Sequence, residues 1–149
     1  RYPPQGVRGF GPIRNMYGID STEEYLSIAS QQIMVFVQVE HIEAVNNLDE
    51  ILKTPGLDGI VLGRNDLSGS MGKLGQHNDP EVLEAIDTVF SKVCQTDLFL
   101  GVSIGYNAET VKEWYDKGVQ WFALGDDVVH FYEGAKSVAD SVHSLEKSK

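Results

Sequence analysis

Residues 31–40 read QQIMVFVQVE and residues 58–68 read DGIVLGRNDLS. Each is a short apolar run that ends in an acid, Glu40 in the first and Asp66 in the second. Runs this apolar on both faces suit strands of a buried parallel sheet rather than strands with one solvated side. Working outward, two further runs share the character, so the strand candidates are 33–39, 59–62, 98–104 and 121–124. Helical spacing fills the intervals. Ile42, Val45, Leu48 and Leu52 share a face after the first strand. Asp79 and Pro80 mark the N-cap and first position of a helix that carries Val82, Leu83, Ile86, Val89, Phe90 and Val93. Asn107 caps the next, with Val111, Trp114 and Tyr115, which stops at Gly118. The last helix places Val128, Phe131, Tyr132, Ala135, Val138, Ala139, Val142 and Leu145 at helical spacing and closes on the polar EKSK. Ahead of all these, Ser21, Thr22 and Glu24 make a capping-box-like start to a helix over 21–30.

The order is therefore one helix and then four βα units, which predicts an α/β fold with right-handed crossovers. Four units are half of a (β/α)8 barrel; an open, flavodoxin-like sheet of four strands is the competitor. In either layout chemistry collects at the C-terminal ends of the strands. Glu40 and Asp66 fall there, one βα repeat apart.

A chain of 149 residues with 42% apolar content suits a single globular domain. Its net charge of −10 argues against nucleic acid, which calls for a basic footprint. The first 15 residues depart from this balance, holding Arg1, Arg8 and Arg14 and no acid. Such a basic opening suits an anionic substrate, or is simply solvated loop charge. Cys94 is the only cysteine, which removes internal disulfides and cysteine zinc clusters, and the helical pattern puts it near a packed face. No apolar run reaches the roughly 18 residues of a membrane span. The chain opens on Arg and a Pro/Gly-rich loop, as the middle of a longer protein would. A soluble, cytoplasmic setting is the favoured expectation.

Alternation along the first strand puts Met34, Phe36, Gln38 and Glu40 on one side and Val35, Val37 and Val39 on the other. A buried Gln38 needs hydrogen-bond partners, and Glu40 shares its side. Two carboxylates with open coordination positions form an oxygen-rich donor set for Mg2+ or Mn2+. Each acid alone also reads as a helix cap or a solvated residue. Residues 63–68 read as a tight turn: Gly63 allows close backbone approach, and amides near Asn65 and Asp66 suit a carboxylate. Residues 68–78, SGSMGKLGQHN, lack the order of a phosphate-binding loop, and Lys73 is their only basic residue. A flexible loop over the active face fits them better. His41, His77, His130 and His143 show no metal-ligand spacing, and Ser103 has no nucleophile-elbow pattern. Asp126 and Asp127 suit the start of the last helix. Trp114, Tyr115, Trp121, Phe122, Phe131 and Tyr132 read as core aromatics or subunit contacts.

RYPPQGVRG at 1–9, VQVE at 37–40, the run from LDEIL to PGLDGIVLG at 48–63, NDLS at 65–68 and FALGDD at 122–127 together resemble the class II pyruvate aldolases. This is the family of 4-hydroxy-2-oxoheptanedioate aldolase and 2-dehydro-3-deoxyglucarate aldolase, and the likeness runs in order over nearly the whole chain. The resemblance implies a (β/α)8 barrel of the phosphoenolpyruvate/pyruvate type, this chain supplying roughly its second half. It implies Glu40 and Asp66 as ligands of a divalent cation, Mg2+, Mn2+ or Co2+. Gln38 would stand beside the keto acid as a catalytic residue, and Gly63, Asn65, Asp66 and Ser68 would bind substrate. It further implies a carbon–carbon lyase acting on a pyruvate- or oxaloacetate-class keto acid and an aldehyde, through a pyruvate enolate. Oxaloacetate decarboxylation and a macrophomate synthase-like reaction use the same enolate; a non-catalytic half-barrel needing a complementary chain is the competing class. The expected assembly is a homo-oligomer, in this family a hexamer that exchanges its last helix. Arg64 stands where family members commonly have Pro, which implies an altered turn or an added positive charge. The family's catalytic histidine, its acidic partner and its keto-acid-binding arginine match no position here and are expected outside this segment.

Overall fold

The structure, a computed structural model, describes residues 2–4, 6–11 and 18–146. Arg1, Arg14 and the final residues of EKSK lie outside the described residues. Contacts divide the chain into two compact units, Arg1–Val35 and Phe36–Lys149.

In the first unit, helix α1 spans Thr22–Gln32 and starts where expected, the Ser21 hydroxyl accepting from the Glu24 amide at 3.1 Å. Tyr25 is buried and packs with Tyr2 and Phe10 at ring-centroid separations of 6.1 and 6.0 Å. The Tyr2 and Tyr25 hydroxyls lie 3.0 Å apart, and this hydrogen bond holds the Tyr25 phenol above its ordinary pKa. Arg8, one of the three arginines of the basic opening, places its guanidinium 4.8 Å from the centre of the Tyr2 ring.

The second unit runs β1 (Phe36–Val39), α2 (Ile42–Asn46), α3 (Leu48–Ile51), β2 (Gly59–Leu62), α4 (Arg64–Ser70), α5 (Pro80–Val93), β3 (Phe99–Ile104), α6 (Ala108–Asp116), β4 (Trp121–Leu124) and α7 (Asp127–Glu146). Its four strands form one parallel sheet in the order β1-β2-β3-β4. Four consecutive βα units are thus present, as the apolar runs imply.

Side chains of alternate strand positions go to opposite faces. Val39, Ile60, Leu62, Leu100, Val102 and Ile104 point to one face and are buried with Val45, Leu48, Val82, Ile86, Val89, Phe90 and Val93 from the helices. Helix α5 contributes most to that layer, because its apolar residues recur on one side and Asp79 and Pro80 fix its start. Each fully buried Leu or Val contributes about 1.5–3 kcal/mol, so this helix-covered face anchors the sheet. The single helix expected after β1 is broken at Asn47, which leaves helical backbone at φ −97° and ψ 11°. Helix α5 ends at Val93, so Cys94 is its C-cap residue and is exposed, not set on a packed face. Of the aromatics, Trp114 is buried, whereas Tyr115, Trp121, Phe131 and Tyr132 are exposed. Every residue of α7 from 127 to 145 is exposed, its apolar stripe included. Among the described residues no helix is long and apolar enough to cross a membrane.

Candidate functional site

The parallel register pairs Val39 with Leu62, Leu62 with Val102 and Val102 with Phe122. One residue further on, Glu40, Gly63, Ser103 and Ala123 therefore form a row at the C-terminal edge, on the face away from the helices. The ladder continues into this row, since the Gly63 amide donates to the Val39 carbonyl at 3.1 Å. Glu40 lies across Gly63: a Cβ at position 63 would stand 2.7 Å from Glu40 Oε2 and 2.8 Å from Glu40 Cβ. The Gly63 backbone sits at φ −103°, so the reason for glycine here is space and not conformation. Gln38 Nε2 donates to Glu40 Oε2 at 3.0 Å and fixes which way the carboxylate turns. Gln38 is exposed, and the partner its amide needs is Glu40 itself.

Below this row the same face is apolar but for Gln38. Phe36, Gly59 and Phe99 form one layer, and Gln38, Val61, Gly101 and Trp121 the next. Phe36 lies over Gly59 and stacks with Trp121 at 5.4 Å between ring centroids, while Trp121 lies over Gly101. A Cβ would come within 2.3 Å of Phe36 at position 59 and 2.9 Å of Trp121 at position 101, so the aromatic floor depends on both glycines.

Asp66 lies in the first turn of the helix that follows β2. The expected tight turn is the start of α4, with Asn65 and Asp66 exposed in its first turn. Serine hydroxyls close this short helix on itself: Ser68 donates to the Asn65 carbonyl at 2.8 Å and Ser70 to the Leu67 carbonyl at 2.7 Å. Ser68 is fully buried and also accepts from the Gly75 amide at 3.3 Å, so its hydroxyl is committed to the loop that follows. Ser70 accepts from the Ile42 amide at 2.9 Å, tying the helix of Asp66 to the chain just beyond Glu40. Only the fold reveals this contact; Ser70 carries no sequence signal for it. Arg64 turns away to α6, its guanidinium 5.5 Å from the centre of the Trp114 ring, with Lys117 Nζ 5.9 Å from the same ring.

The Gly-rich loop after α4 is more bound than its composition suggests. Lys73 Nζ lies 2.6 Å from Asp79 Oδ1 and 3.0 Å from Glu81, while Asp79 also accepts from the Glu81 amide. The Lys73 hydrogen bond holds the Asp79 carboxyl below its ordinary pKa, and Asp79 holds the Lys73 ammonium above its own. His77, in the same loop, has a buried Nε2 with no hydrogen-bond partner among the described residues.

The donor chemistry at the edge fits a hard divalent cation. Glu40 and Asp66 are carboxylates, and the absence of a side chain at Gly63 lets the Glu40 carboxylate lie along the edge. Among the described residues no group of three or more His, Cys, Asp or Glu side chains gathers to hold an ion. A cation bound here would complete its shell with water and a chelating ligand, as Mg2+ commonly does.

The HpcH/HpaI aldolase/citrate lyase family model matches residues 1–133. The chain belongs to this family. A 5-keto-4-deoxy-D-glucarate aldolase of Enterobacter sp. (strain 638) is 34% identical over 143 residues, 95% of this chain and 55% of that protein. The citrate synthase SbnG is 31% identical, with a TM-score of 0.73 over 98% of this chain and 56% of its own. An HpcH/HpaI aldolase/citrate lyase family protein from Burkholderia cenocepacia J2315 is 26% identical, with a TM-score of 0.77 over 94% of this chain and 54% of its own. This HpcH/HpaI chain thus spans about half the length of the relatives it matches. Its four βα units are part of the family's TIM barrel, which decides between the barrel and the open four-stranded sheet.

Proposed function

We propose that the enzyme carrying this chain is a divalent-metal-dependent carbon–carbon lyase that joins and cleaves 2-keto acids and aldehydes in the manner of class II aldolases. The reading rests on one observation. Glu40 is laid across a side-chain-free Gly63 and oriented by Gln38, one βα unit from Asp66, in a chain of the HpcH/HpaI family. Glu40 and Asp66 would hold Mg2+, Mn2+ or Co2+. When bound, the cation supplies Lewis-acid stabilisation for the negative charge that grows on the keto oxygen as the enolate forms.

The chain's own residues do the rest of the positioning. Gln38 gives one amide hydrogen to Glu40 and keeps its second amide hydrogen and its carbonyl for a keto acid. Asn65 and Asp66, exposed at the start of α4, border the same edge as Gly63. Ser68 acts through the loop, holding the Asn65 carbonyl and the Gly75 amide. In the aldol direction the donor loses a proton from C3, C3 bonds to the aldehyde carbon, and the aldehyde oxygen takes up a proton. The base for those transfers and the arginine for the keto-acid carboxylate are assigned to the barrel's other half. The exposed apolar stripe of α7 supports a homo-oligomer in which this helix packs on another subunit, a hexamer in the family pattern.

The test uses Glu40→Ala and Asp66→Ala in that enzyme. Both variants should lose Mn2+ binding, read by electron paramagnetic resonance, and turnover of pyruvate with aldehydes after chelation and metal add-back. Full binding and full activity in either variant would refute the assignment. Oxaloacetate in the same assay separates decarboxylation from aldol chemistry.

A further inference from the structure

Ser103 is the polar residue of the edge row that no part of the site yet uses. On β3 its neighbours Leu100, Val102 and Ile104 are buried toward the helices, whereas Ser103 is exposed on the opposite face. Register places it level with Gly63 and Glu40, directly beside Ala123. Its hydroxyl makes no hydrogen bond among the described residues, unlike Ser68 and Ser70, whose hydroxyls are committed to backbone. Between Glu40 and Ser103 the row holds only Gly63, whose side-chain position is covered by Glu40 itself, so no third side chain of the row stands between them. Strand spacing sets their Cα atoms roughly 10 Å apart. The layer beneath is closed by Val61 and by Trp121 lying over Gly101.

We propose that Ser103 is a specificity residue that admits and hydrogen-bonds a substituent on C3 of the donor, so that the preferred donor is a 3-hydroxylated 2-keto acid of the hydroxypyruvate class. The inference rests on the keto acid being held at Glu40 and Asp66. A donor held beside Glu40 with its third carbon turned along the row meets Ser103 as the next side chain. It meets a small polar side chain with a free donor and acceptor, where a Leu or Val would close the row.

The experiment compares hydroxypyruvate, 2-oxobutanoate and pyruvate as donors with one acceptor aldehyde, in the Mn2+-loaded enzyme and in Ser103→Ala and Ser103→Leu. Dissociation constants for the three keto acids come from calorimetry without aldehyde. Ser103→Ala should lower the hydroxypyruvate-to-pyruvate ratio of kcat/KM about tenfold through the lost hydrogen bond, with little change in the 2-oxobutanoate-to-pyruvate ratio. Ser103→Leu should lower both ratios, by about a hundredfold, through lost space. The affinities should follow the same order. Ratios that stay at wild-type values in both variants overturn the role of Ser103 while leaving the aldolase reading intact. A wild-type enzyme that binds none of the three keto acids and turns none over overturns that reading and this inference together.

Discussion

Gly63→Ala puts the geometry of the candidate site under direct strain. Glycine's conformational freedom does not enter, because φ at this position is −103°. The added carbon would stand 2.8 Å from Glu40 Cβ and 2.7 Å from Glu40 Oε2. Two carbons rest at about 3.5–4.0 Å, so the pair is short by about 1 Å. The carboxylate end can swing aside, but Glu40 Cβ moves only with its backbone, and that backbone carries the last rung of the β1–β2 ladder. Either response moves the carboxylate off the position that Gln38 holds.

Overpacking of this kind costs about 1–3 kcal/mol of stability, which leaves the variant folded and measurable by urea denaturation. Disturbing the support of a metal ligand costs about 10- to 100-fold in affinity, and a 1 Å misplacement costs on the order of a hundredfold in rate. Gly59→Ala is the matched control, since its added carbon would come within 2.3 Å of Phe36 and 2.7 Å of the Phe99 carbonyl, two layers below the edge. The control should lose at least as much stability as Gly63→Ala and keep its Mn2+ affinity. Retention of wild-type Mn2+ binding and turnover by Gly63→Ala would refute the reasoning, as would equal loss of Mn2+ affinity in both variants.

The helix-covered face allows a simpler expectation: Leu48→Ala removes a fully buried side chain and should cost about 2–5 kcal/mol in urea or thermal unfolding. Arg64→Ala removes the guanidinium over Trp114 and should cost roughly 0.5–1 kcal/mol. The Mn2+ affinity of Arg64→Ala should stay near wild type, because that charge faces α6. The Lys73–Asp79 pair sets a pH window. Asp79 titrates below its ordinary value when folded, so its contribution is present above about pH 4 and is lost as the pH falls through the folded value. Lys73 titrates above its ordinary value, so its contribution is present below about pH 10 and is lost as the pH rises further. The stability difference between wild type and Lys73→Met should therefore be flat between those limits and shrink outside them in urea titrations.

Strand positions were legible because Val, Ile, Leu and Phe crowd into short runs; β2 and β4 match their expected spans residue for residue. At β1 and β3 only the first residues differ, where pairing starts later than the apolar run does. The break at Asn47 was invisible to periodicity, since Val45 and Leu48 stay on one buried face whether or not the helix pauses between them. Helix α4 reads as a turn in the sequence because RNDLSGS is poor in helix formers; its hydroxyl-to-carbonyl bonds are local, but the tie from Ser70 to the Ile42 amide depends on a neighbour distant in sequence. At the candidate site, alternation alone placed Gln38 with Glu40. The need for glycine at 63, the Ser70–Ile42 link and the level of Ser103 follow from strand register, which one strand's sequence does not contain.

The two ends of the open sheet face are built for different tasks, and the glycines separate them. Gly59 and Gly101 are filled from the side by Phe36 and Trp121, which closes the lower layers with aromatic rings. Gly63 is filled only by the carboxylate of Glu40, so the upper row stays polar. Polar side chains therefore gather at the C-terminal edge, where the chain also places Asn65 and Asp66. The loop after α4 borders that edge, and it is pinned at both ends, by Ser68 to the helix of Asp66 and by Lys73 to the cap of α5. Swinging it away would break the Lys73–Asp79 ion pair and release the Ser68 hydroxyl into a buried position without its Gly75 partner. Helix α5 covers the opposite face of the same strands, so its capping residue Asp79 and the proposed metal ligand Asp66 are mechanically joined through one loop. Loss of the Asp79 carboxylate should thus reach Asp66 through Ser68, and a raised Mn2+ dissociation constant in Asp79→Asn that Asp79→Glu restores would distinguish this coupling from simple loss of a helix cap.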